Sequence, residues 1–287
     1  QRARLMAATL ADIYGPQTLL RDALLPASLV FAHPHYLRPA CGLWQRPGLH
    51  IAAFDLARTP QGGFRVLAQR LQAPSGLGYL LENRLIIAPQ FHDQFSDLRV
   101  QRLAATFRSL LDGLMRASPA GERSRNVMLT PGPLNETYFE QVFLARYLGI
   151  TLVEAGDLTV RGNRLHLKTL HGLERVHVLL RRVDDEFLDP LELRPDSQLG
   201  VPGLLQALRA GEVVMANAPA QALVALLPEA LRGPPLKPLK NYPTLERLNE
   251  AFAAAWGAGG YTGNAVYWNV VPRRVVPPAP AQPAVRK

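Results

Sequence analysis

The sequence contains a single cysteine and no long apolar run. One cysteine, Cys41, excludes a disulfide within the chain, and its simplest role is that of a small core residue. Charges and prolines divide the longest apolar stretches, so none approaches the length of a membrane span, and the N-terminus does not resemble a signal peptide. We therefore expect a cytoplasmic protein that is not embedded in a membrane.

The chain also lacks the residue groupings that support two common kinds of chemistry. No serine stands in a nucleophile elbow and Cys41 has no recognisable histidine partner, so covalent catalysis has no support. Pro34 separates His33 from His35, which favours a loop, and no third metal ligand is predictable nearby. The sequence predicts neither a nucleophilic side chain nor a zinc site.

Basic residues do not form a stripe with interleaved aromatic residues, although the net charge is +9. Part of this charge lies in the tail 272–287, which contains no acid and is rich in proline. We expect this tail to be an extended, disordered linker. The arginines upstream are scattered, so we do not expect nucleic-acid binding, and the positive surface suits ATP or an acidic peptide equally well.

What the chain does have is a polar cluster that follows a glycine turn. Residues 52–56 and 64–70 have the composition of two strands, and the turn 59–63 between them predicts a hairpin. The loop 73–78 then leads to Glu82, Asn83 and Arg84 at the rim of this hairpin. A carboxylate, a carboxamide and a guanidinium together suit a metal-bound nucleotide or a phosphorylated intermediate, although a glycine loop alone is ordinary turn chemistry.

A second cluster lies where a strand turns into a helix. Residues 126–130 predict a short buried strand, residues 138–148 predict an amphipathic helix, and Gly149 ends that helix before the next strand. This order predicts a βαβ unit, in which ligands bind at the carboxyl ends of the strands. Asn135 or Thr137 is expected to cap the helix, whose N-terminus favours an anion. An ordinary turn of an α/β fold remains the alternative.

A third cluster ends an apolar strand with alternating charges. Alternation places Arg182 and Asp184 on one side of the extended segment, and Arg181, Val183 and Asp185 on the other. Two interpretations stay open, a ligand site and an internal ion pair between an arginine and an aspartate. The three clusters meet only if their strand ends share one edge of the molecule.

Several of these stretches, taken together, resemble the circularly permuted ATP-grasp family, type 2. The stretches are Ala-Asp-Ile-Tyr-Gly-Pro-Gln at 11–17, His-Pro-His-Tyr-Leu-Arg-Pro at 33–39, Gln-Ala-Pro-Ser-Gly at 72–76 with Glu-Asn-Arg at 82–84, Leu-Thr-Pro-Gly-Pro-Leu-Asn-Glu-Thr-Tyr at 129–138, and Leu-Arg-Arg-Val-Asp-Asp at 180–185. The resemblance implies an ATP-dependent ligase that joins a carboxylate to an amine through an acyl-phosphate, similar to glutathionylspermidine synthetase. It also implies ATP and Mg²⁺ as cofactors, and small-molecule or peptide substrates.

The resemblance assigns roles to residues of the three clusters. Arg70 and Arg84 are expected to neutralise the acyl-phosphate. The expected nucleotide contacts are Ser75, Gly76, Gly78 and Asn83, and the expected magnesium ligands are Glu82 and Asn83. The expected substrate contacts are Gly132, Asn135, Glu136, Arg182, Asp184 and Asp185.

Two features depart from the pattern of the family. Gln69 stands where the family strand typically has an aspartate. A neutral amide is a poorer magnesium ligand than a carboxylate, although Asp55 or a phosphate oxygen can replace the missing ligand. After about Pro219 the similarity fades, and Lys237 and Lys240 lie in a proline-broken stretch that does not read as a nucleotide-binding strand. The alternative function is therefore a non-catalytic, degenerate paralogue that binds a peptide or a protein.

The fold class expected is α/β, with ATP-grasp-like strands, a βαβ domain of the pre-ATP-grasp kind and a helical N-terminal region. The chain begins as if inside a helix, without a capping residue, and we expect it to be a portion of a longer protein. The apolar positions of 100–115 and 244–256 predict two further helices. The expected segments are 1–120 (helices and metal-side strands), 126–217 (βαβ), 218–271 (divergent) and 272–287 (tail).

Overall fold

A computed structural model describes residues 2–43, 48–58, 60, 64–100, 102–217 and 219 of the chain. The helices are α1 (Arg2–Ile13), α2 (Thr18–Arg21), α3 (Ala27–Phe31), α4 (Leu77–Ile87), α5 (His92–Asp97), α6 (Leu103–Ala117), α7 (Tyr138–Leu148) and α8 (Leu204–Arg209). The strands are β1 (Ala53–Arg58), β2 (Phe64–Arg70), β3 (Asn126–Leu129), β4 (Thr151–Val153), β5 (Leu158–Arg161), β6 (Arg164–Thr169), β7 (Gly172–Arg175), β8 (Val178–Arg181) and β9 (Val214–Ala216). The mixed α/β composition agrees with the expected class.

The N-terminal helices pack against a two-stranded hairpin. Strands β1 and β2 pair antiparallel, as the sequence predicts. Phe54 of the hairpin shares a buried core with Leu10 of α1 and Val30 of α3. Asp12 fixes the path between α1 and α2, because its buried carboxylate accepts hydrogen bonds from the backbone N–H groups of Thr18 and Leu19, both at 2.9 Å. The motif around Asp12 therefore has a structural role.

The segment after the glycine loop is helical and packs on the second half of the chain. Leu81 of α4 and the predicted apolar face of α6, with Phe107 and Leu114 buried, contact Met128 and Leu180 of the central sheet. Core packing therefore does not follow the predicted boundary near residue 120. Glu82, Asn83 and Arg84, expected at the rim of the hairpin, lie within α4 instead, because the apolar residues directly before and after them favour helix continuation.

The central sheet is parallel, with the strand order β4-β3-β8-β9. Alternate residues of β3 and β8 point to opposite faces, so Val127 and Leu179 join one core whereas Met128 and Leu180 join another. Helices α4, α6 and α7 cover the second face, and α8 with the β5-β6-β7 meander covers the first. Burial on both faces explains why three consecutive apolar residues, 178–180, precede Arg181 in β8.

The strand order reverses between β3 and β8. From β3 the chain continues through α7 to β4 on one side, whereas from β8 it continues through α8 to β9 on the other. A reversal of this kind leaves a crevice at the carboxyl ends of the two strands, which is the usual ligand site of an open α/β sheet. The predicted βαβ unit is thus present, and it places the second and third clusters side by side.

Some expectations fall on other parts of the chain. The helix 244–256, Lys237, Lys240 and the tail 272–287 lie outside the described residues, as does the segment 218–271 apart from Pro219. Within the described ranges, every helix is too short or too polar to span a membrane.

Candidate functional site

A pocket of about 250 Å³ opens at the carboxyl edge of the sheet between β3 and β8. Its walls contain residues from all three sequence clusters. The lining residues are Ala73, Ser75, Pro131, Asn135, Glu136, Thr137, Arg182, Val183, Asp184, Phe187 and Leu199. The strand ends therefore do share one edge, which was the condition for the clusters to meet.

The turn after β3 is held by a network around Asn135. The Asn135 Oδ1 atom accepts hydrogen bonds from the Thr137 N–H at 3.0 Å, the Thr137 hydroxyl at 2.7 Å and the Gln141 Nε2 atom at 3.0 Å. Gln141 is buried and accepts a further bond from the Thr130 hydroxyl at 2.5 Å. Thr137 occupies the N-cap position of α7, and its hydroxyl accepts a 3.0 Å hydrogen bond from Gln141 Nε2 but makes no capping bond to a backbone N–H of the helix. Asn135 therefore closes the turn, and neither residue is the expected side-chain cap.

Gly132 shapes this turn without lining the pocket. Its φ of +97° lies in the left-handed region, which favours glycine. Its N–H donates to the Thr130 hydroxyl oxygen at 3.1 Å, and a β-carbon at this position would lie 3.4 Å from the Glu154 Oε1 atom. The structure therefore gives Gly132 a conformational role, and the expected substrate contact there stays a prediction.

Arg182 connects the third cluster to the glycine loop. Its Nη1 atom donates a 3.0 Å hydrogen bond to the carbonyl oxygen of Pro74, and its backbone N–H bonds to Leu129 O at 2.8 Å. Burial lowers the pKa of the Arg182 guanidinium, the Glu140 carboxylate opposes this shift, and Arg181 adds to it. Arg182 therefore lies between the pocket and the buried carboxylate of Glu140.

Glu140 organises the glycine loop. This side chain is 1% exposed, and its Oε1 atom accepts hydrogen bonds from the backbone N–H groups of Gly76 at 2.7 Å and Gly78 at 3.1 Å. A phosphate could bind these two amides only by displacing Glu140, so the geometry does not provide the expected nucleotide cradle at Gly76 and Gly78. Ser75 remains exposed at the pocket.

The sequence analysis missed Glu140 as part of the site. A signal was present, since Glu140 lies four residues before Leu144 and hence on the buried face of α7. A charged residue on such a face needs a partner. The sequence did not indicate that the partner is a loop more than sixty residues earlier.

Arg181 and Asp185 form the internal ion pair that was one of the two open interpretations. Arg181 is 1% exposed; it pairs with the Asp185 carboxylate and donates to Val183 O at 2.8 Å and Asn217 O at 2.6 Å. Burial lowers the pKa of Arg181, whereas Asp185 and Asp184 oppose this shift. The expectation that Asp185 contacts substrate is corrected here, because its carboxylate is buried under the pocket and occupied by Arg181.

Asn217 is a second residue that the sequence analysis missed. Its Oδ1 atom accepts hydrogen bonds from the N–H groups of His50 at 2.8 Å and Ile51 at 2.7 Å. Its Nδ2 atom donates to Ile51 O and Leu71 O, both at 2.6 Å. Asn217 thus joins both ends of the β1-β2 hairpin to Arg181 beneath the pocket.

The remaining expected site residues lie away from the pocket. Arg70 forms an exposed 2.8 Å ion pair with Asp55 across the hairpin, and Gln69 accepts a 3.4 Å hydrogen bond from Arg2. Arg84 lies over the Phe95 ring, with its Cζ atom 5.1 Å from the ring centroid. Neither arginine lines the pocket.

The expected magnesium ligands are neighbours on a helix, and their role stays a prediction. Glu82 and Asn83 are consecutive residues of α4, so their side chains project about 100° apart around the helix axis. Within the ranges that the structure describes, no three His, Cys, Asp or Glu side chains are grouped to hold a metal. Magnesium binding at these residues therefore finds no geometric support.

Comparison with known proteins gives one family match and a set of relatives. The model of the family described as circularly permuted ATP-grasp type 2 matches residues 1–226. An uncharacterized protein of Synechocystis sp. is 39% identical over 257 residues, which cover 85% of this chain and 53% of the relative. Two uncharacterized proteins of Mycobacterium tuberculosis are 43% and 42% identical over 221 residues, which cover 76% of this chain and 25% and 40% of the relatives. The chain thus spans between a quarter and about half of the length of these relatives.

Proposed function

Because the chain belongs to the circularly permuted ATP-grasp type 2 family, we propose that it provides the substrate pocket of an ATP-dependent ligase that joins a carboxylate to an amine. Membership of an ATP-grasp family indicates ATP-dependent ligase chemistry in general, with ATP and Mg²⁺ as the usual cofactors. The observation that carries the finer proposal is the convergence of Ser75, Asn135, Glu136, Arg182 and Asp184 on one pocket.

The proposed reaction has two steps. A carboxylate oxygen of the first substrate attacks the γ-phosphorus of ATP, so that ADP leaves and an acyl-phosphate forms. The amine nitrogen of the second substrate then attacks the acyl carbon, phosphate leaves with the bonding electrons, and the nitrogen loses a proton as the amide forms. Neither step requires a nucleophilic side chain, which agrees with the absence of a nucleophile motif in the sequence.

Arg182 is the cation best placed to act in this reaction. It lines the pocket, and its bond to Pro74 O fixes its position. A fixed guanidinium binds carboxylate or phosphoryl oxygens by charge-assisted hydrogen bonds and stabilises the charge that develops on them. We propose that Arg182 takes the role that the sequence assigned to Arg70 and Arg84, since those two residues lie outside the pocket.

The second candidate function is a non-catalytic module that binds a peptide or a protein. It is favoured by the bonds from the Gly76 and Gly78 amides to Glu140, because these amides are then not available to phosphate. Gln69 in place of an acidic residue also favours the non-catalytic module, since a neutral amide weakens a magnesium site. The two candidates differ in whether ATP is bound and consumed.

The test combines calorimetry with chemical trapping. The 287-residue chain is titrated with ATP in the presence and absence of Mg²⁺, and a Gln69→Asp variant is titrated in parallel. The chain is then incubated with ATP, Mg²⁺, hydroxylamine and a panel of amino acids and dipeptides. An acyl-phosphate intercepted by hydroxylamine yields a hydroxamate, and we expect ADP and hydroxamate in equal amounts for a subset of the carboxylates.

Matched variants identify the residues involved. Arg182→Gln is expected to reduce hydroxamate formation at least about 100-fold, as for the loss of one preorganised group that stabilises developing charge. Arg123→Gln, an exposed arginine of a surface turn, is expected to leave it unchanged. ATP binding without hydroxamate from any carboxylate would favour the binding module. The absence of ATP binding by both the natural chain and the Gln69→Asp variant would favour either the binding module or a portion of a ligase that lacks the nucleotide site.

A further inference from the structure

The pocket has an acidic side and an apolar side. Glu136 follows the turn after β3, and Asp184 follows β8 on the opposite side of the crevice. Both residues are exposed at the pocket rim. Val183, Phe187 and Leu199 form the apolar lining. A ligand that enters this pocket therefore meets carboxylates and hydrocarbon together.

The arginines near the pocket each face a carboxylate of their own. Arg194, whose Cζ atom lies 4.5 Å from the centroid of the Phe187 ring, pairs with Glu186 and Asp196. Arg181 pairs with Asp185 beneath the pocket, and the Glu140 carboxylate acts electrostatically on Arg182. Asp184 adds to the field at Arg181, yet within the described ranges no ion pair includes Asp184 or Glu136. The carboxylates around the pocket thus outnumber the guanidinium groups, and the two at its rim carry the excess negative charge.

This charge distribution disfavours the triphosphate of a nucleotide. Each phosphate oxygen near the rim would approach Glu136 or Asp184, and the juxtaposition of like charges disfavours binding. The Gly76 and Gly78 amides do not offset this repulsion, because they donate to Glu140. The pocket volume of about 250 Å³ is also below the roughly 300–1,000 Å³ of a pocket for a whole drug-sized ligand. The pocket fits one end of a substrate.

We propose that the pocket binds the protonated amine end of the acceptor substrate, an inference that rests on the ligase function proposed above. The ammonium group lies between Glu136 and Asp184, and the apolar stem of the substrate packs against Phe187 and Leu199. An ammonium group has three donors and no acceptor, which suits a pair of carboxylates. One of the two carboxylates accepts a proton from the ammonium before the attack, so that the neutral amine is the nucleophile of the second step. The apolar wall accounts for the stem, and Arg182 on the inner side is left for the activated carboxyl group.

The experiment measures binding alone, without ATP, by NMR titration of the 287-residue chain at pH 7. Three probes share the leucine side chain and differ in charge: leucinamide is a cation, N-acetylleucinamide is neutral, and N-acetylleucinate is an anion. The two acetylated probes match each other in size. We expect leucinamide to bind at least tenfold more tightly than the other two. We also expect its affinity to fall as salt is added, because Glu136 and Asp184 are solvent-exposed.

Three variants test the residues. Glu136→Gln and Asp184→Asn are each expected to weaken leucinamide binding at least tenfold, whereas Glu122→Gln, an exposed carboxylate that does not line the pocket, is expected to leave it unchanged. Because both rim residues are exposed, their amide variants keep the fold, which thermal unfolding checks. Equal or tighter binding of N-acetylleucinate, no binding of leucinamide, or full binding by both rim variants would overturn the proposal.

Failure here is distinguishable from failure of the proposed function. A chain that forms hydroxamate from ATP but does not bind leucinamide keeps the ligase and rejects the amine site. A chain that binds leucinamide in the expected way but neither binds nor consumes ATP keeps the amine-binding pocket and withdraws support for ligase activity from this chain by itself.

Discussion

Gly78 and Glu140 are packed so closely that position 78 has no room for a β-carbon. The Gly78 N–H donates a 3.1 Å hydrogen bond to the Glu140 Oε1 atom, and a β-carbon on Gly78 would lie 2.5 Å from the Glu140 Cγ atom and 2.9 Å from its carbonyl oxygen. Real β-carbons do not approach other heavy atoms this closely. The start of α4 and the first turn of α7 are therefore held together by one carboxylate, and the pocket wall depends on this contact.

Gly78→Ala is expected to lower the free energy of unfolding by about 1–3 kcal/mol, since the added methyl group overpacks a buried contact that includes backbone. Urea denaturation measures the change. Gly113→Ala is the matched control, because Gly113 lies within α6 and a β-carbon there has no heavy atom within 4 Å. We expect that control to be stabilised by roughly 0.5–1 kcal/mol through helix propensity. Equal effects of the two substitutions would contradict the close packing at Gly78.

Removing one member of the buried Arg181–Asp185 pair is expected to cost more than removing both. Asp185→Ala leaves the buried Arg181 charge without its partner, and such a change typically costs about 3–5 kcal/mol. Replacing both residues, by Arg181→Leu with Asp185→Ala, is expected to recover part of this loss. Urea denaturation of the single and double variants gives the coupling between them.

Asp55→Ala provides the comparison for that cycle, because its pair with Arg70 is exposed. An exposed pair contributes about 0–1 kcal/mol, so the variant is expected to retain nearly all of the stability. If Asp185→Ala were as mild as Asp55→Ala, the Arg181–Asp185 pair would not have the buried character described above.

Asn217→Ala is expected to release the hairpin from the sheet. The substitution leaves the N–H groups of His50 and Ile51 without the acceptor that they share, and an unsatisfied buried group costs about 1–3 kcal/mol. We expect hydrogen exchange at the His50 and Ile51 amides to accelerate roughly tenfold or more, since about 1.4 kcal/mol is a factor of ten. Asn83→Ala, which changes an exposed asparagine of α4, is the control and should leave exchange at these two amides unchanged. If exchange were also unchanged in Asn217→Ala, other contacts would hold the hairpin against the sheet.

Stability is expected to fall as the solution is acidified below about pH 6.5. Burial lowers the pKa of His177 below its ordinary value of 6.5, and Arg175 and Arg125 lower it further, against an opposing effect of Glu212. Burial, with a smaller effect of His35, also lowers the pKa of His33. Because each folded-state pKa lies below the unfolded one, the unfolded chain binds more protons in this range, so the free energy of unfolding rises with pH.

The measurement is urea denaturation between pH 5 and pH 7.5. His177→Gln is expected to reduce the change in the free energy of unfolding with pH over this range. His33→Gln is expected to reduce it too, by an amount that adds to the effect of His177→Gln. The exposed His92 provides the control, since His92→Gln is expected to leave the slope as it is. If the free energy of unfolding changed with pH as steeply in His177→Gln and in His33→Gln as in the natural chain, other groups would be responsible for the acid sensitivity.

The sequence by itself determined the elements that depend on local patterns. Alternation and turn residues predicted the β1-β2 hairpin, helical spacing predicted α6, and the order of strand, glycine turn and helix predicted the β3-α7-β4 unit; the structure confirms all three. The same alternation separated Arg182 and Asp184 from Arg181 and Asp185. These features follow from residues a few positions apart, whose spacing fixes which side chains share a face.

Only the tertiary structure decided which distant residues meet. Glu140 binds an amide 62 residues away in sequence, and Asn217 binds one 166 residues away. No local period identifies such partners, because a buried polar group requires a hydrogen bond but any correctly placed donor satisfies it. The path of the chain therefore brought the glycine loop to the Glu140 carboxylate and left Glu136 and Asp184 facing an open pocket.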